Sequence, residues 1–288
     1  MEGIKFERQR ITTPDNDFLD LDYLRQGSKK VVIISHGLEG SSDRAYMQGM
    51  ARALFSEGFD VICWNFRGCG GEMNKTLRFY HSGATDDLDH VVKHALSEKY
   101  NEIYLVGFSL GGNLTLKYLG EARPLEEIKA AVAFSVPVDL HASCLKISKP
   151  SNWIYSNRFL KSLKNKIVQK SKIMTGLNLK GIDKIKTLIE FDDHYTAPLH
   201  GFQNAVDYYT KCSSIHFLKN IKVPTLLVNA QNDPFLSESC FPENEVRGHA
   251  FVKFERPAFG GHVGFSQFNE NGLYWSEVRA LSFLKSFI

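Results

Sequence analysis

Gly107-Phe108-Ser109-Leu110-Gly111-Gly112 decides how this chain is read. The residues before it, Ile103-Tyr104-Leu105-Val106, form a short apolar run that reads as a buried strand. Those after it, from Leu110 to Leu119, carry helical periodicity. The serine therefore sits on a sharp strand-to-helix turn, where the backbone is strained and its neighbours must be small, a demand that Gly107, Gly111 and Gly112 meet. That context predicts a nucleophile elbow, with the Ser109 hydroxyl presented at the end of a strand.

Outward from the elbow, short β-branched runs alternate with longer helical segments. Strands are expected at 4–11 and 18–24, as an antiparallel edge hairpin, and at 31–34, 61–65, 103–108, 130–134, 225–228 and 250–254. Helices are expected from Ser42 or Asp43 to Glu57, closed by Gly58, and at 85–99, 110–119 and 274–287. This is the pattern of a mostly parallel eight-stranded sheet with helices on both faces. Between 138 and 212 the rhythm changes to amphipathic helices with no strand. The expected organisation is a core of 1–137 and 213–288 carrying a helical cap over 138–212.

Composition excludes several classes. With 43% hydrophobic and 23% charged residues the chain is globular, neither disordered nor fibrous. Thirty-five Lys and Arg against 32 Asp and Glu is too small an excess to argue for nucleic acid. Five scattered cysteines without a Cys-x-x-Cys pair fit reduced thiols and a cytoplasmic setting. Charges at Glu2, Lys5, Glu7, Arg8 and Arg10 argue against a signal peptide, and no apolar run nears the ~20 residues of a transmembrane segment.

A serine needs a base, and the base needs an acid to orient it; after an elbow the expected order is Ser, then Asp or Glu, then His. Of the histidines well downstream, His262 lies in a glycine-bounded loop between the last strand and the last helix, whereas His249 begins a strand and His216 precedes one. Asp233 follows strand 225–228 at the strand's C-terminal end, where α/β sheets place their sites, with Glu238, Glu243 and Glu245 as alternatives. The expected oxyanion donors are the backbone N–H groups of Leu110 and of Leu38, the latter in the turn Ser35-His36-Gly37-Leu38-Glu39-Gly40. His36 precedes the serine and reads as structural. The helical pair His90 and His94 lacks a third metal ligand and reads as an exposed polar face, while the cluster Asp192-Asp193-His194 and Cys69 read as structural.

The chain resembles the YheT-like branch of the α/β-hydrolase superfamily, related to plant embryogenesis-associated hydrolases. The resemblance is carried by His36-Gly37-Leu38-Glu39-Gly40-Ser41-Ser42, Asn65-Phe66-Arg67-Gly68-Cys69-Gly70-Gly71, Phe79-Tyr80-His81, Gly107-Phe108-Ser109-Leu110-Gly111-Gly112-Asn113, Phe191-Asp192-Asp193, Asp207-Tyr208-Tyr209, Asn232-Asp233-Pro234-Phe235 and Gly260-Gly261-His262-Val263-Gly264-Phe265. It implies a Ser109-Asp233-His262 triad and hydrolysis of acyl esters through an acyl-enzyme, without a cofactor or metal. The substrate is expected to be a small-molecule or lipid ester. Acyl transfer to an alcohol uses the same residues and is the alternative; a non-catalytic ligand-binding protein is disfavoured because all three triad residues are present.

Between 145 and 186 eleven Lys and Arg face Asp183 alone, so the small net charge hides a basic cap. Trp153, Leu160, Leu163 and Ile167 recur at nearly helical spacing there. Two readings follow: the stripe packs inward over the site, or the basic cap rests against an anionic membrane surface.

Overall fold

The computed structural model describes residues 5–121, 125–267 and 272–288. Eight strands form one sheet in the order β1-β2-β4-β3-β5-β6-β7-β8. They are β1 (Glu7–Thr12), β2 (Phe18–Leu24), β3 (Lys30–Ser35), β4 (Asp60–Asn65), β5 (Glu102–Phe108), β6 (Ile128–Phe134), β7 (Thr225–Val228) and β8 (Val252–Glu255). β1 and β2 pair antiparallel, β2 runs antiparallel to β4, and all other pairs are parallel. The edge hairpin thus falls where its alternation placed it; Ile4, at its expected start, lies outside the described residues.

The strand interiors are apolar because both faces are covered. In β3, Val31 and Ile33 face α2 (Thr85–Ser97) and α3 (Leu110–Glu121), while Val32 and Ile34 face α1 (Ala45–Ser56) and α9 (Trp275–Leu284). Helix α1 starts later than its capping residues predict. Arg44 occupies the N-cap position without a side-chain cap, because the Ser42 hydroxyl donates to Asp22 Oδ2 on β2 (2.5 Å).

Between β6 and β7 the described chain carries helices joined by loops and no strand: α4 (Leu140–Ile147), α5 (Trp153–Ser171), α6 (Leu188–Phe191), a π-helical turn at Asp192–Thr196, α7 (Ala197–Leu199) and α8 (Ala205–Cys212). On α5, Leu160, Leu163 and Ile167 pack inward with Phe79, Phe191 and Tyr195. Trp153 departs from that stripe and is 63% exposed. The inward reading of the stripe is therefore the one the packing follows.

β3 has β4 on one side and β5 on the other, so the chain reverses its direction of growth across the sheet between β3 and β5. Open α/β sheets leave a crevice at the carboxyl ends of the strands flanking such a point. The Leu38 turn leaves β3 there and Ser109 leaves β5.

Candidate active site

Ser109 follows β5 with φ of +54°, in the left-handed region that ordinary side chains avoid. Its neighbours explain how that conformation fits. A Cβ on Gly111 would stand 2.5 Å from the carbonyl oxygens of Ser35 and His36, and one on Gly107 would stand 2.5 Å from the Gly111 carbonyl. The Ser109 N–H donates to Phe134 O at 2.8 Å, holding the elbow on β6.

Across the crevice, His262 Nε2 lies 2.9 Å from Ser109 Oγ. Its Nδ1 lies 2.8 Å from Asp233 Oδ2 and 3.1 Å from Oδ1. The Asp233 carboxylate is shielded from solvent and its Oδ1 also accepts the Phe235 N–H at 2.9 Å. The histidine loop is held from three sides. Asn232 Oδ1 accepts the N–H groups of Gly260 (3.0 Å) and Gly261 (2.8 Å), Ser135 Oγ accepts the N–H of Val263, and the Phe235 ring packs on the imidazole with centroids 4.4 Å apart. Sequence reasoning missed Asn232, Ser135 and Phe235. Only Asn232 and Phe235 left a signal, their nearness to Asp233.

The expected oxyanion donors also converge here. Gly37 O accepts from His36 Nδ1 (2.7 Å) and from the Gly40 N–H (3.0 Å). In a planar trans peptide the Leu38 N–H points opposite to that carbonyl, and it has no protein acceptor among the described residues. Leu110 opens α3, so its N–H has no acceptor within the helix. Leu38, Leu110, Ser109 and His262 all line one cavity of about 130 Å³, walled mainly by apolar residues such as Leu140, Ile147, Leu163 and Leu188. A second cleft of about 420 Å³ meets it at Ser109 and His262, and carries Glu39, Arg44 and Arg158.

The remaining candidates have structural occupations. His36 donates from Nδ1 and accepts the Phe66 N–H at Nε2; burial lowers its pKa to about 3, so it stays neutral. His249 Nδ1 accepts the N–H groups of Phe251 and Val252, and His216 is exposed on a 3-10 turn. Glu238 and Glu243 pair with Arg256, and Glu245 is exposed. His90 and His94 bind Thr12 O and the Tyr23 hydroxyl, and no group of three or more metal-ligating side chains occurs among the described residues. Burial pushes the Cys69 thiol up to about 11, which favours the protonated thiol, and its sulfur accepts from Lys166 Nζ at 3.0 Å. Asp192 accepts from Thr196 and Tyr209, both at 2.5 Å, and burial raises its carboxyl to about 6; Asp193 accepts the Ala205 N–H, and His194 meets Glu190 O.

A family model described as serine aminopeptidase, S33, matches residues 26–240. YheT of Escherichia coli (strain K12), named as an esterase, is 34% identical over 265 residues, covering 89% of this chain and 78% of that one. The chain belongs to the YheT-like branch of the α/β-hydrolase superfamily. Within the superfamily, phospholipase ABHD3 of Bos taurus is 30% identical over 274 residues, 91% of this chain and 67% of its own length. The esterase Pf2001 of Pyrococcus furiosus shares the α/β-hydrolase fold at a TM-score of 0.67, with 22% identity over 99% of this chain and 91% of that one.

Proposed function

We propose that this chain is a serine hydrolase that cleaves carboxylic esters through a Ser109-His262-Asp233 triad and an acyl-enzyme. Relatives named as an esterase, a phospholipase and a monoacylglycerol lipase support ester hydrolysis. The observation that carries the finer reading is His262, whose two ring nitrogens reach Ser109 on one side and Asp233 on the other.

Asp233 keeps the proton of the neutral imidazole on Nδ1, leaving the Nε2 lone pair for the Ser109 hydroxyl. Ser109 Oγ attacks the ester carbonyl while its proton passes to Nε2, and the carbonyl oxygen, gaining negative charge, meets the N–H groups of Leu38 and Leu110. His262 returns the proton to the leaving alcohol oxygen. Water then takes the alcohol's place and the same proton path runs again, releasing the acid and restoring Ser109.

Residues 138–212 act in this reading as a helical cap on a core of 1–137 and 213–288, and the apolar cavity beneath it receives the acyl group. The second cleft receives the alcohol portion of a small-molecule or lipid ester. The stripe of Leu160, Leu163 and Ile167 packs inward, so contact of the basic cap with an anionic membrane surface would run instead through Trp153 and Ile154, exposed to 63% and 72% at the start of α5 on one surface with Arg158 and Lys161. No helix among the described residues is long and apolar enough to cross a membrane. Five free cysteines support a reducing compartment, the cytoplasm.

The test is hydrolysis of p-nitrophenyl esters of increasing acyl length beside amino-acid p-nitroanilides, by the wild type and Ser109→Ala. Ester turnover that the substitution abolishes supports the reading. Turnover of anilides alone, or by the variant, overturns it. Sedimentation with anionic and neutral liposomes at low and high salt tests the cap contact, which requires salt-sensitive binding to the anionic vesicles.

A further inference from the structure

Glu39 stands next to the proposed oxyanion donor Leu38, and its backbone is left-handed with φ of +52°, a conformation that a glutamate holds only when its surroundings enforce it. One phenol enforces it from within the core. The Tyr80 hydroxyl accepts the Glu39 N–H at 2.9 Å and donates to Glu39 Oε1 at 2.7 Å, closing a ring between the residue's own main chain and side chain. Tyr80 is buried, and burial beside Glu39 raises its pKa well above the ordinary value, so the phenol keeps the proton it donates.

The other hold comes from α5. Lys166 Nζ donates to Glu39 Oε1 at 2.8 Å and Ser162 Oγ donates to Oε2. Ser162 and Lys166 are one turn apart and share a helix face, so both can reach one carboxylate. Lys166 also lies 3.0 Å from Cys69 Sγ, and its ammonium has left solvent to make these contacts, which is affordable only against a matched charge. Both oxygens of Glu39 are thus committed to elements that lie far apart in the chain, and the carboxylate is only 6% exposed.

The consequence lies one residue earlier. The Leu38 N–H is aimed by the Gly37–Leu38 peptide plane, which is joined at the Leu38 Cα to the Leu38–Glu39 plane whose N–H Tyr80 holds. We propose that Glu39 is a positioning residue that ties the oxyanion turn to α5, so that docking of this helix completes the aim of Leu38 at the reacting carbonyl, beside the hold that His36 and Gly40 keep on Gly37 O. The inference rests on the Ser109 esterase reading. It adds that transition-state stabilisation, and not substrate binding alone, depends on the helical segment between β6 and β7.

The test measures kcat and KM for p-nitrophenyl butyrate, together with the inhibition constants of a trifluoromethyl ketone, which forms an oxyanion on Ser109, and of its non-fluorinated methyl ketone. Glu39→Ala is expected to lower kcat about 100-fold, the cost of a misaimed donor, with KM changed less than threefold. Trifluoromethyl ketone affinity should fall by the same factor as kcat/KM while that of the methyl ketone holds. Glu39→Gln keeps an amide oxygen for Tyr80 and Lys166 but leaves the ammonium without its matched charge, so it should restore only part of kcat. Because Glu39→Ala strands a buried ammonium and risks misfolding, Ser162→Ala/Lys166→Met removes the tie from the helix side and should show the same split at about a tenfold loss. A kcat within threefold of wild type in both Glu39→Ala and the double variant, or equal weakening of both ketones, overturns the proposal. A wild type that does not hydrolyse the ester, or a Ser109→Ala that does, overturns the esterase reading instead.

Discussion

Asp233→Asn separates the orienting role of the carboxylate from its shape. The side chain is sealed from solvent, so no water can stand in for a lost oxygen. The Phe235 N–H donates to Oδ1 at 2.9 Å, and an asparagine would therefore turn its carbonyl oxygen to that donor and its NH2 group to the position of Oδ2, 2.8 Å from His262 Nδ1. Nδ1 must then accept, and the ring proton moves to Nε2. That nitrogen, 2.9 Å from Ser109 Oγ, becomes a donor where catalysis needs an acceptor. A wrong tautomer of this kind costs about 10⁴-fold in kcat, or about 5 kcal/mol of barrier. Steady-state hydrolysis of p-nitrophenyl butyrate by wild type and Asp233→Asn measures it, with melting temperatures showing that the fold survives. A variant that retains more than about a tenth of wild-type kcat would refute the orienting role.

Other substitutions probe the surroundings of the site. His262→Ala should abolish ester turnover while His249→Ala, whose ring caps Phe251 and Val252, should lower the melting temperature and leave kcat nearly intact; the reverse pattern would reassign the base. Asp192 carries a folded pKa raised from 3.8 to about 6, so the native state binds more protons than the unfolded one between those values and stability falls as pH rises through that window. Two units correspond to at most about 3 kcal/mol. Asp192→Asn should therefore gain in melting temperature relative to wild type between pH 4 and 7, by up to about 6 °C at roughly 2 °C per kcal/mol, and parallel curves would contradict this. Leu188→Trp fills the apolar cavity and should cut kcat/KM for long acyl esters while sparing the acetyl ester; an unchanged chain-length profile would place the acyl group elsewhere.

Much of the fold was legible because its signals are local. The strands announce themselves as β-branched runs buried on both faces, and the elbow by glycines whose absence of Cβ is required within 2.5 Å of Ser35, His36 and Gly111 carbonyls. What was hidden depends on partners distant in the chain. Ser42 looks like a helix cap until Asp22 takes its hydroxyl, and the start of α1 moves to Ala45. The apolar stripe on α5 has the same spacing whether it faces lipid or the core, and only the placement of Phe79 and Phe191 decides between them. Glu39 gave no sign of its role: its partners Tyr80, Ser162 and Lys166 lie 41, 123 and 127 residues away. By contrast Ser109, Asp233 and His262, as widely scattered, were legible together because the chemistry of an activated serine prescribes their order along the chain.

The central claim is that Ser109 is a nucleophile activated by His262. Intact-mass measurement after exposure to a fluorophosphonate tests it most directly. The account predicts one phosphonyl adduct on the wild type, none on Ser109→Ala, and labelling slowed by orders of magnitude in His262→Ala. Equal labelling of the wild type and Ser109→Ala would contradict it.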